Sequence, residues 1–227
     1  MIKVGYQVMI TGSTGMVGKG VLMECLDHRD ISRVTLINRR PIDMEHSKIK
    51  EVILKDFQDL AATDHEIPAV DACYHCMGIS ALGKTEEDYT AVTYHVSMNL
   101  ARMLLAKNPA MIFCYVSGQG TDVKGSMMWA RVKGRTEKEL TELPFKKVVL
   151  FRPGFIQPLR GIQSSTGWYN TIYKVTKPIY PALKNLFPNA ITNTDAVGRA
   201  MINCLKTDAH PQILDNKDIN KLADEMA

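Results

Sequence analysis

Short apolar runs alternate with stretches of helical spacing from one end of this chain to the other. Lys3–Ile10 reads as a first strand, and Met16–Leu26, with Val17, Val21, Leu22 and Leu26 on one face, as the helix after it. Arg33–Asn38, Val52–Leu54 and Ala72–Met77 continue the strands. Thr85-Glu-Glu-Asp88 has the form of a capping box, with Asp in the last place, and opens a long helix to about Lys107. Ala110–Val116 is a continuous apolar run between Pro109 and Ser117, as a central strand covered on both faces requires. A helix from about Ser126 to Glu142 and a strand at Lys147–Phe151 follow. Beyond Pro153 the pattern changes: one helix is expected at about Trp168–Leu186, another from Thr194 to Lys206, then a short strand at Gln212–Leu214 and a terminal helix. This alternation predicts an α/β fold, a doubly wound parallel sheet with helices on both faces. No repeat or linker divides the chain, so residues 1–227 are expected to form a single domain, with 157–193 as a lid on the substrate side.

Between the first strand and first helix lies V-M-I-T-G-S-T-G-M-V-G, Val8 to Gly18. Gly12 suits a tight turn, Gly15 lets backbone approach phosphates, and Gly18 lets the helix lie against the strand. This is the Rossmann-type pattern that rests a dinucleotide's pyrophosphate on a helix start. Thr11, Ser13 and Thr14 add hydroxyls, while Met16 and Val17 supply helix-start N–H groups. About twenty residues on, where a carboxylate would accept from the adenosine ribose, the chain has Asn38-Arg39-Arg40. Guanidinium groups meet phosphate with paired donors, which favours NADP over NAD; two solvated arginines before Pro41 are the plainer alternative. Asp56, after the third strand, is placed to accept from the adenine amino group or is a loop aspartate. Cys76, Met77 and Gly78, closing the fourth strand, lie where chain passes the cofactor's central riboses.

Composition narrows the class further. The chain of 227 residues has 45% hydrophobic and 23% charged residues and a net charge of +4 spread along its length, which argues for small anions rather than nucleic acid. Its apolar runs are too short to span a bilayer, and Met1–Gln7 lacks a secretory pattern, so no membrane partner and a cytoplasmic location are expected. Thirteen methionines read as adaptable core filler. The five cysteines read as reduced, buried thiols. Cys73-Tyr-His-Cys76 has metal-pair spacing, but on a strand residues three apart point to opposite faces, so no metal site is expected.

Ser117 after the fifth strand, W-A-R-V-K-G-R-T-E from Trp129, and F-R-P-G-F from Phe151 complete a pattern over nearly the whole chain. It resembles the short-chain dehydrogenase/reductase superfamily. Within that superfamily it is similar to the atypical, nucleoside-diphosphate-sugar epimerase-like members grouped with the Tat-interacting tumour-suppressor protein. The resemblance implies a serine that polarises the substrate oxygen and a lysine that holds the nicotinamide ribose, at Ser117 and Lys133. Between them a tyrosine should exchange the proton, and here that position is Trp129, whose indole is neither acid nor base near neutral pH. By the same resemblance, Pro153, Gly154, Phe155 and Ile156 lie along the nicotinamide. Trp168, Tyr169, Tyr173, Tyr180 and Phe187, mixed with Lys174, Lys177 and Lys184, form either an apolar pocket with a basic rim or a packed surface helix.

Three functions remain open. One is an oxidoreductase on a small carbonyl or hydroxyl substrate, its proton coming from Tyr89, Tyr94, Tyr169, Tyr173, Lys133 or water. The second is an NADP-binding sensor or partner-binding protein without turnover, and the third a sugar-nucleotide epimerase. A monomer or homodimer fits each.

Overall fold

The computed structural model describes residues 5–57, 60–162 and 190–225. Seven parallel strands form its main sheet in the order β3-β2-β1-β4-β5-β6-β9: Tyr6–Thr11, Ile31–Asn38, Ile49–Ile53, Ala72–His75, Ile112–Val116, Lys147–Phe151 and Ile213–Leu214 are β1 to β6 and β9. Strand order reverses between β1 and β4, and such a switch point opens a crevice at the carboxyl ends of its strands. The doubly wound α/β fold expected from the alternation is the one found.

The alternating side chains of β1 show why both faces must be covered. Val8 and Ile10 join one core beneath α1 (Met16–Asp27), α5 (Thr194–Asn203) and α6 (Asn216–Asp224). Met9 joins the other, with β5 residues Phe113 and Tyr115, beneath α2 (Glu86–Thr90), α3 (Val96–Lys107) and α4 (Met128–Thr141). Helices α2 and α3 are one continuous rod through a π-helical stretch at Ala91–His95, and Thr85 caps it by accepting from the Asp88 N–H at 3.1 Å. Close helix contact on the first face needs small residues. A Cβ on Gly20 would lie 2.5 Å from that of Thr194, and one on Gly198 would lie 2.7 Å from Glu24 Cγ.

Most boundaries lie within a few residues of the expected ones. The first strand starts at Tyr6 because Gly5 turns the chain at φ +86°, and the fourth ends at His75. Two strands were not expected: β7 (Phe155–Gln157) pairs in parallel with β8 (Ile191–Asn193) in a separate two-stranded sheet. Each is three residues long, too short to show periodicity. The helix expected at 168–186, its aromatic and lysine residues, and most of the 157–193 lid lie outside the described residues. No helix among the described residues is long and apolar enough to cross a membrane.

Candidate functional site

The glycine-rich loop lies at the switch point. Gly12 has φ +71°, and a Cβ there would come within 2.8 Å of the Cys76 carbonyl and the Met77 backbone, so the loop presses against the chain leaving β4. Gly18 is tighter still, since its Cβ would stand 2.2 Å from the Gly12 carbonyl oxygen. Gly15 is the N-cap of α1. Among the described residues no side chain caps this helix, and no acidic residue lies in its first turn, which leaves the N–H groups from Met16 to Gly18 and the positive end of the helix dipole for an anion. Gly78 follows β4 with its backbone outside the left-handed region, and a Cβ there would meet nothing within 4 Å among the described residues. These features fit a dinucleotide.

The hydroxyls divide differently from the expectation. His75 Nε2 lies 2.8 Å from Ser97 Oγ, and Ser97 already donates its proton to the Thr93 carbonyl at 2.5 Å. Ser97 therefore accepts from His75, Nε2 carries the hydrogen, and Nδ1 is left to accept from Thr11 Oγ at 2.6 Å. Thr11 has no proton to offer a phosphate. Ser13 donates to Asn38 Oδ1 at 2.8 Å, leaving Thr14, exposed at the loop tip, as the remaining candidate hydroxyl.

Burial, helped by the Lys133 charge, pushes His75 down to about 4. The ring is fully buried between Tyr115, stacked at 5.7 Å, and Phe113 at 5.9 Å. A histidine depressed in the folded state contributes its stability in full above its unfolded value and loses it as pH falls through 6.5 toward 4. Denaturant titrations across that window are expected to show a loss of about 3 kcal/mol. His75→Gln, which keeps a donor and an acceptor, should flatten that limb; an unchanged limb would assign it to other groups.

At the ribose end, Asn38 closes β2 and is buried, while Arg39 and Arg40 are exposed beyond it. Asn38 is not free, since Nδ2 donates to Glu51 at 3.2 Å. Asp56 is exposed after β3. Cys73 packs into one core and Cys76 against the other, and burial raises both thiols.

At the carboxyl end of β5 a buried network appears whose members were visible in the motifs but whose contacts were not. Ser117 Oγ donates to Glu137 Oε1 at 2.5 Å, and Arg152 grips the same carboxylate through Nε, at 3.0 and 3.2 Å, and Nη2, at 2.5 Å. Ser117 thus directs its one proton inward to Glu137. Lys133 donates to the Ser117 carbonyl at 2.5 Å, and burial pushes it down to about 8, opposed by the Glu137 charge. Trp129, one turn before Lys133, is half-buried and donates to Met127 Sδ at 3.2 Å.

Two of the four tyrosines lie within the described residues. Tyr94 bonds to Glu139 beneath the Arg135 guanidinium, 4.0 Å from its ring, and Tyr89 is buried in the core. Tyr169 and Tyr173 lie outside the described residues. Beside Lys133's helix the turn after β6 is pinned: Pro153 accepts from the Gln119 N–H at 2.9 Å, and Gly154 donates to Asn216 Oδ1 at 3.0 Å. Phe155 and Ile156 belong to β7. Gln119 was not expected at the site, yet a Cβ on Gly154 would fall 2.4 Å from its Oε1. Its only sequence signal was its place two residues after Ser117.

Residues 8–122 match the model of the NAD dependent epimerase/dehydratase family, just over half of the chain. The chain belongs to that family. Family relatives include rat Protein HTATIP2, 29% identical over 152 residues, covering 66% of this chain and 62% of the rat protein, so the match spans less than two thirds of that relative. The mitochondrial Protein FMP52 of Meyerozyma guilliermondii is 24% identical and covers 96% of both chains. These are the atypical group that the motifs resemble. Among solved structures, a short chain dehydrogenase from Burkholderia cenocepacia in complex with NADP has a TM-score of 0.67 at 13% identity, covering 95% of this chain and 89% of its own. Bordetella bronchiseptica WbmF in complex with NAD+ and UDP has a TM-score of 0.68 at 16% identity, covering 97% and 76%. The family fixes an NAD(P)-binding fold. The FMP52 relatives are named as mitochondrial proteins, unlike the cytoplasmic expectation.

Proposed function

We propose that this chain binds NADP(H) at the β1–β4 switch point and reduces a small carbonyl compound, with Lys133 as the proton donor. The observation that carries this reading is the placement of Lys133. From α4 it reaches the carboxyl end of β5, half-buried, where its ammonium donates one N–H to Ser117 and has no further hydrogen-bond partner among the described residues. A bound reduced nicotinamide supplies the hydride to the carbonyl carbon. The ammonium gives its proton to the oxygen, leaving a neutral amine that solvent reprotonates. With its pKa near 8 the group is charged at neutral pH and gives up its proton more readily than a solvated lysine. Glu137 and Arg152 position the Ser117 carbonyl on which the amine rests. The exposed Arg39 and Arg40 support the choice of NADP.

Titration with NADPH and NADH, followed by NADPH oxidation against a panel of aldehydes and ketones, tests this. The expected result is a preference for NADPH and a rate that falls as pH rises through about 8. Lys133→Met should lower the rate by about a hundredfold, and turnover unaffected by it would reject the lysine. A second reading, cofactor binding without turnover, is favoured by one observation: Ser117 and Trp129 both spend their protons internally. Tight NADPH binding with no oxidation of any carbonyl is its signature.

A further inference from the structure

Arg39 and Arg40 are exposed, so their usefulness to a ribose phosphate depends on the backbone that carries them. One carboxylate on the adjoining strand holds both ends of that turn. Glu51, on β3, accepts the Asn38 Nδ2–H at 3.2 Å and the Ile42 N–H at 3.1 Å on the same oxygen, Oε1. Asn38 immediately precedes the two arginines. Ile42 is the first residue after them able to donate, because Pro41 has no N–H. Asn38 also accepts from Ser13 of the glycine-rich loop at 2.8 Å, so a single line of hydrogen bonds joins the pyrophosphate cradle to the arginine turn and to β3.

We infer that Glu51 is a positioning residue for cofactor choice, holding the Arg39-Arg40 turn at the adenosine ribose through Asn38 and Ile42. The inference rests on the NADP reading above. It also gives Asn38 a physical reason. A carboxylate at 38 would face Glu51 as a like charge, whereas the amide donates to Glu51 on one side and accepts from Ser13 on the other. Glu51 sends its charge into these two internal donors.

The test is titration of wild-type protein, Glu51→Ala, Glu51→Gln and Arg39→Ala with NADPH and NADH. Glu51→Ala is expected to weaken NADPH by about tenfold and NADH by less than about twofold, and the double variant Glu51→Ala/Arg39→Ala, titrated beside them, to bind NADPH little more weakly than Glu51→Ala alone. Glu51→Gln keeps an acceptor oxygen and should hold the ratio near wild type. Where Glu51→Ala folds poorly, Glu51→Asp, which keeps the charge but shortens the reach, should move the ratio in the same direction. Equal weakening of both cofactors, or none, would overturn the inference while leaving the NADP reading in place. Wild-type preference for NADH would overturn both.

Discussion

Arg152→Met is expected to cost about 3 kcal/mol of stability. The reason lies in Glu137, whose side chain is 3% exposed and whose carboxylate is held by Arg152 through two nitrogens and by the Ser117 hydroxyl. Removing the guanidinium strands a desolvated charge with one neutral donor. Adding Glu137→Gln to Arg152→Met should recover more than half of the loss, because the stranded charge, not the missing pair, carries most of the penalty. Urea unfolding of the two single variants and the double variant measures this. A double variant no more stable than Arg152→Met would show that Glu137 is hydrated in solution.

Gly78→Ala should separate cofactor binding from folding. Among the described residues nothing lies within 4 Å of the added methyl group, and the backbone there is outside the left-handed region, so stability should be unchanged or rise by about 0.4–1 kcal/mol. On the proposed cofactor site, NADPH binding should weaken by about tenfold or more, because the methyl group would stand in the nucleotide's path along the crevice. Gly18→Ala is the opposite case: its methyl would stand 2.2 Å from the Gly12 carbonyl, and both folding and binding should suffer. Thermal unfolding beside cofactor titration distinguishes the two. Unaltered binding in Gly78→Ala would remove the turn after β4 from the cofactor path.

The elements legible in the chain were those whose pattern repeats over several turns or a whole strand. Met16–Leu26 and Ala110–Val116 declare themselves because burial on one stripe, or on both faces, leaves no other arrangement of their apolar residues. Phe155–Gln157 did not, since three residues cannot establish a period and its partner strand lies more than thirty residues away. Ser117, Lys133, Glu137 and Arg152 were all present in recognisable motifs. Their distances in sequence did not reveal that the serine's proton goes to the glutamate.

The sequence by itself determined the parallel α/β sheet, the glycine-rich turn into an uncapped helix and the arginines after β2. Each is a local matter of periodicity, backbone freedom or residue chemistry. Only the tertiary structure decided which polar atoms remain available. Thr11 is used by His75, Ser13 by Asn38, and Ser117 by Glu137, each partner on another element 20 to 64 residues away. A hydroxyl has one proton, and where it goes depends on the nearest acceptor in space, which residue spacing along a strand or helix does not encode.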